Sequence, residues 1–105
     1  MKQIRPQELS ALLSQAAPPV VLDVREPWEI ATASLTGSVA IPMHEITTRL
    51  SELSTAQPIV CLCHHGMRSL QVAMFLERNG FETVYNLAGG INAWSLDVDP
   101  TVPTY

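Results

Sequence analysis

The sequence predicts an α/β fold with a mostly parallel sheet. Two observations carry that reading. Short apolar runs alternate along the chain with segments of helical patterning, the order that generates parallel strands joined by helices. In addition, the five glycines (Gly37, Gly66, Gly80, Gly89 and Gly90) all fall between these segments or at their ends, so local and global signals agree.

In chain order, Pro6 to Gln15 reads as a helix. Pro stands near its start, and Leu9, Leu12 and Leu13 share one face. Ala16-Ala17-Pro18-Pro19 breaks it. Val20 to Val24 is a buried strand and Pro27 to Ala31 a short helical turn, with Trp28 expected as a core anchor. Ser38 to Ile41 is a short strand, and Ile46 to Leu53 a helix with Ile46, Leu50 and Leu53 facing inward. Pro58-Ile59-Val60-Cys61-Leu62-Cys63 is a continuous apolar run opened by Pro, the pattern of a strand covered on both faces. Arg68 to Asn79 reads as a helix with Asn79-Gly80 as its stop. Thr83 to Leu87 is a further strand. Gly89-Gly90 then leads into a short helix from Ile91 to Trp94, with Trp94 between helix and sheet. Residues 97–105 contain two prolines and are expected to run extended over the surface.

Size and charge narrow the functional classes. A chain of 105 residues suits one domain. With 47% hydrophobic residues, global disorder is not expected. Six Lys and Arg against ten Asp and Glu leave a net charge of -4, which excludes the basic stripe that a nucleic-acid binder needs. No apolar run approaches the roughly 20 residues of a membrane span. Met1 to Pro6 has no apolar leader core, so no signal peptide is expected and a cytoplasmic setting follows.

Chemistry concentrates in Cys63-His64-His65-Gly66-Met67-Arg68-Ser69. Cys63 ends a buried strand, and a tight loop carries the chain into a helix N-terminus. Open α/β sheets place their ligands there. Amides of the loop and first helical turn lack intrahelical partners and point at an anion, and the helix dipole adds to the same field. A sulfur in that position is favoured as a thiolate nucleophile. Gly66 permits a sharply curled loop, Arg68 brings a permanent cation, and Ser69 brings a hydroxyl.

Cys61 reads differently. Strand residues two apart share a face at about 6.6 Å, close to the upper limit of about 6.8 Å for a disulfide. A bond to Cys63 would therefore strain the strand, and Cys61 is expected to be a buried, inert thiol. A metal site is not expected either. Cys61, Cys63, His64 and His65 lie within five consecutive residues and cannot easily converge tetrahedrally. The two histidines fit either the rim of a pocket or a solvated loop.

Three segments together resemble the single-domain rhodaneses, thiosulfate sulfurtransferases. They are Leu22-Asp23-Val24-Arg25-Glu26-Pro27-Trp28-Glu29, then residues 63–69, then Asn86-Leu87-Ala88-Gly89-Gly90-Ile91-Asn92-Ala93-Trp94. The resemblance spans nearly the whole chain. It implies a three-layer fold with a five-stranded, mostly parallel sheet and helices on both faces. It also implies that Cys63 becomes a persulfide inside a loop completed by residues 64 to 68. His64, His65, Gly66, Met67, Arg68, Ser69 and Arg25 would then bind substrate. Asp23 would hold the geometry through hydrogen bonds to loop amides, and Arg25 would either attract the anion or pair with Asp23, Glu26 or Glu29.

The reaction so implied moves a sulfane sulfur from a small anionic donor such as thiosulfate to cyanide or a thiol, including a protein thiol. It requires no cofactor and no metal. One departure stands out: where the family usually has Gly-His-Ile-Pro-Gly-Ala, this chain has Ala33-Ser34-Leu35-Thr36-Gly37-Ser38, so Ser34 replaces the usual histidine.

Two alternatives remain. One is a sulfur carrier or regulatory module loaded by a partner protein. The other is a cysteine phosphatase or arsenate reductase on the same fold, which needs five residues between its cysteine and arginine. Four separate Cys63 from Arg68, and the tighter loop suits a sulfur better than a tetrahedral oxyanion.

Overall fold

The computed structural model describes residues 1–105. Five parallel strands form one sheet: β1 (Lys2–Ile4), β2 (Val20–Asp23), β3 (Val39–Ala40), β4 (Ile59–Leu62) and β5 (Val84–Leu87). Their spatial order is β1-β5-β4-β2-β3, which puts β4 at the centre. The register pairs Cys61 with Leu22 on one side and with Asn86 on the other. Three helices lie between strands, α1 (Pro6–Leu13), α2 (Pro27–Thr32) and α3 (Met67–Arg78), and a fourth, α4 (Gly90–Asp97), follows β5. No helix is long and apolar enough to cross a membrane.

Alternation along the strands divides the core in two. Leu22, Val24, Ile59, Cys61, Cys63 and Val84 face α3, packing on Val72, Ala73 and Leu76. Val21, Val60, Leu62, Leu87 and Ile4 face the other way, against Leu9 of α1 and Ile91 and Trp94 of α4. Helices thus cover both faces, as a buried parallel sheet requires. Both edge strands are short, three residues in β1 and two in β3, which limits the unpaired backbone offered to another chain.

Several expectations need correction. Residues 46–53 do not form an α-helix. Met43–Thr48 and Leu50–Glu52 are two 3-10 turns separated at Arg49, whose φ of -120° and ψ of 15° break the helical run. The apolar spacing suited a helix, but two adjacent β-branched threonines precede the break. Trp28 is not a core anchor: 64% of it is exposed. The tail does not simply lie on the surface. Val102 is buried in the α4-side core and Tyr105 packs into the site described next. Strand β1 adds a fifth strand from residues whose burial alternation is too short to read.

Candidate active site

The central strand delivers Cys63 to the carboxyl edge of the sheet, where the chain curls through His64, His65 and Gly66 into α3. Gly66 makes the curl: its φ of 99° is left-handed, a conformation that non-glycine residues avoid. The curl turns two donors onto the Cys63 sulfur. The Gly66 amide donates to Cys63 Sγ at 3.0 Å, and the Ser69 hydroxyl lies 3.2 Å from the same sulfur. Ser69 and Gly66 are buried, and Cys63 itself is only 1% exposed. Sulfur, amide and hydroxyl form an enclosed cluster at the start of a twelve-residue helix, where backbone donors favour negative charge.

The loop is anchored from beneath by α4 and β5. The Ile91 and Asn92 amides donate to the Cys63 and His64 carbonyls at 2.9 and 3.1 Å. Gly90 allows this approach, because a Cβ there would sit 2.4 Å from the His64 oxygen and 2.5 Å from the Cys63 oxygen. Buried Asn86, on β5, donates to the Gly66 carbonyl at 3.1 Å and to Gln3 Oε1 at 2.8 Å. Asn86 and the Ile91 and Asn92 amides therefore hold the loop and Gly90 makes room for it, although in the sequence Gly90 and Asn86 read as turn and strand residues.

Of the two roles expected for Arg25, the structure shows the ion pair with Asp23, whereas Asp23 does not bind the sulfur-loop amides. Arg25 is fully buried. Its guanidinium donates to both Asp23 oxygens at 2.9 and 2.7 Å, to the Ala33 carbonyl at 2.7 Å, to the Glu29 carbonyl at 3.3 Å and to the Tyr105 hydroxyl at 2.9 Å. It is committed to the interior and does not reach the sulfur loop as an anion attractor. Asp23, likewise buried, accepts from Arg25 rather than from loop amides.

Arg68 is paired as well, in a bidentate bridge to Glu29 at 2.6 and 2.8 Å. Hydrogen bonds from Arg68 hold the Glu29 carboxyl down at about 2, against the upward pull of burial. The same bridge raises Arg68, so the pair stays charged. Arg25 and Arg68 are thus two neutralised pairs, not free cations beside the sulfur.

The remaining loop side chains diverge. Met67 is 68% exposed and His65 is exposed, whereas His64 is half-buried. The His64 ring lies flat on Tyr105, with centroids 3.8 Å apart and a 7° angle, and tilts against His65 at 4.0 Å. Burial pushes the His64 ring below the ordinary histidine range, and the neighbouring His65 acts in the same direction. The Tyr105 hydroxyl donates to Glu29 Oε2 at 2.7 Å, and its ring meets Trp28 edge-on at 6.0 Å. Sequence reasoning missed Glu29 as the partner of Arg68, and it missed Tyr105 altogether. Ser34 is exposed, and the neighbouring Ala33 contributes only its carbonyl to Arg25.

Cys61 lies behind Cys63 on the same face of β4, fully buried. Burial, reinforced by Cys63, pushes its thiol up to about 12. The largest surface cavity, about 430 Å³, lies among Leu13, Pro19, Val21 and Trp94, near the amino end of β2. It contains no cysteine, and Cys63 lies at the opposite end of the strands.

A cysteine held by an inward amide at the carboxyl end of a central parallel strand defines the α/β proteins that react through a loop-cradled sulfur. The chain belongs to the rhodanese-like domain family, whose model matches residues 5–97. It is 35% identical over 95 residues to a protein named sulfurtransferase from Allochromatium vinosum, covering 90% of this chain and 89% of that one. It is 36% identical over 93 residues to the thiosulfate sulfurtransferase GlpE of Pseudomonas fluorescens, covering 89% and 84% respectively. A longer relative, the chloroplastic Rhodanese-like/PpiC domain-containing protein 12 of Arabidopsis thaliana, is 46% identical over 89 residues. That match covers 81% of this chain but only 30% of the plant protein. Among solved structures, a rhodanese-related protein from Thermoplasma volcanium superposes with a TM-score of 0.87 at 30% identity, over the full length of both chains. These likenesses support sulfurtransferase activity of the rhodanese type.

Proposed function

We propose that this chain is a thiosulfate sulfurtransferase working through a Cys63 persulfide. The observation that carries the reading is the pair of donors on Cys63 Sγ, the Gly66 amide at 3.0 Å and the Ser69 hydroxyl at 3.2 Å. Both are fixed before reaction and aimed where negative charge resides on sulfur.

In the first half-reaction the Cys63 thiolate attacks the outer sulfur of thiosulfate. A new S–S bond forms, the donor's own S–S bond breaks, and sulfite leaves with the electron pair. In the second, cyanide or a thiolate attacks the outer sulfur of the persulfide. The acceptor keeps that sulfur, and the Cys63 thiolate is restored. This is covalent catalysis with two displacements and ping-pong kinetics. Neither step consumes an oxidant or a cofactor. Arg68, tied to Glu29, would act by shaping the loop more than by supplying free charge. The names of the Allochromatium and Pseudomonas relatives agree with this reaction.

The test is mass spectrometry of the protein after incubation with thiosulfate. The expected result is one added sulfur atom on Cys63, absent in Cys63→Ser. A mass gain retained in Cys63→Ser overturns the mechanism.

One observation favours a second reading. Both cations near the loop are paired, while Trp28 and Met67 stand 64% and 68% exposed, an arrangement that also suits loading by a protein persulfide. Sulfur gained only from a protein donor, and never from thiosulfate, would select that reading.

A further inference from the structure

We propose that Tyr105 is a positioning residue for the Cys63 loop, acting through the ring of His64; the inference rests on the reading of Cys63 as the reacting sulfur. The residue after the nucleophile is held from two sides. Beneath it, the His64 and Cys63 carbonyls accept from Asn92 and Ile91 at 3.1 and 2.9 Å. Above it, the Tyr105 ring covers the imidazole face to face at 3.8 Å and 7°. Such close parallel contact fixes the side chain as the carbonyl bonds fix the backbone.

Tyr105 can do this because it is itself held. Its hydroxyl accepts from Arg25 Nη1 at 2.9 Å and donates to Glu29 Oε2 at 2.7 Å. The partners of those two groups are Asp23, at the end of β2, and Arg68, in the first turn of α3. The phenol therefore spans the two ion pairs, and its ring transmits their fixed position to His64. No other side chain stacks flat on this histidine; His65 leans on it at 31°. Holding His64 flat keeps the 63–66 curl formed, and with it the Gly66 amide on the sulfur. A curl already formed needs no reorganisation when charge develops on sulfur.

Tyr105→Ala removes ring and hydroxyl, whereas Tyr105→Phe keeps the stacking ring and removes only the hydroxyl. Two readouts are compared with wild type: hydrogen exchange of the Gly66 amide, which requires no sulfur transfer, and the rate of persulfide formation at saturating thiosulfate. With Tyr105→Ala, Gly66 exchange should quicken about tenfold and persulfide formation should slow about tenfold, while strand amides such as Val60 keep their protection. Tyr105→Phe keeps the stacked ring but loses its anchor to the two ion pairs, so it should lose about threefold in both, between wild type and Tyr105→Ala.

Wild-type behaviour of Tyr105→Ala overturns the proposal. So does equal damage in both variants, which would assign the effect to the hydroxyl. Faster exchange throughout the sheet also overturns it, because the tail would then be a general stabiliser. If wild type takes no sulfur from thiosulfate but the Gly66 effect is present, the positioning role holds and the thiosulfate reading fails.

Discussion

Gly90→Ala tests the contact between the sulfur loop and α4. Gly90 has a φ of +63°, and an added Cβ would lie 2.4 Å from the His64 carbonyl oxygen and 2.5 Å from that of Cys63. Real Cβ contacts essentially never fall under 3.0 Å, so the 63–64 backbone must retreat by at least 0.6 Å, with no flexible side chain to absorb the shift. Left-handed backbone costs an alanine about 1–2 kcal/mol, and the forced displacement adds about 1–3 kcal/mol of overpacking. The total, about 2–5 kcal/mol, is a large part of the about 5–15 kcal/mol that holds a typical domain folded. The displaced group is the Cys63–His64 backbone, so under the proposed mechanism persulfide formation should slow about tenfold or more. The assays are urea denaturation and the burst of sulfite released on mixing with thiosulfate. Gly80→Ala is the control: its φ is +85°, but nothing lies within 4 Å of the added Cβ. It should lose only the backbone cost, about 1–2 kcal/mol, with the burst unchanged. A Gly90→Ala protein matching Gly80→Ala in both assays would refute the reasoning.

Two further predictions concern single groups. Glu29 falls from an ordinary 4.5 to about 2 in the folded protein, so its contribution is complete above about pH 4.5 and is lost as pH falls from there through 2. It is worth at most about 3 kcal/mol, and Glu29→Gln should flatten the stability curve across that window; parallel curves for the two proteins would count against the bridge. Cys61 is fully buried with its thiol pushed up to about 12, so iodoacetamide at pH 8 should label Cys63 long before Cys61. Equal labelling of the native protein, read by peptide mass, would contradict that order.

What was legible in the sequence was what local pattern encodes. The continuous apolar run 58–63 fixed a buried strand, the glycine after two histidines fixed a curl, and together they placed Cys63 at the sheet's carboxyl edge. The helix read from Arg68 to Asn79 is observed as Met67–Arg78. What escaped was what long-range packing decides. Glu29 and Arg68 are 39 residues apart in the chain, Tyr105 and Arg25 80 apart, and no periodicity links such positions. Arg25 was read two ways, as an anion site or as a partner of Asp23, Glu26 or Glu29, and long-range packing decides for the pair with Asp23. An arginine beside a reactive loop reads as an anion site, yet the buried Asp23 two residues earlier, the Ala33 carbonyl and Tyr105 together satisfy its donors inside the core. Trp28 misled because aromatic rings usually bury, whereas here the α2 position that turns inward belongs to Glu29.

The two neutralised arginine pairs have a kinetic consequence. With no free cation beside the sulfur loop, an anionic donor meets a molecule whose net charge is -4, and the encounter is repulsive at long range. Raising ionic strength with an inert salt shortens the reach of that repulsion, from about 30 Å at 0.01 M to about 10 Å at 0.1 M. Capture of a dianion should therefore quicken as salt is added. That is the reverse of the slowing expected where exposed lysines and arginines draw the substrate in.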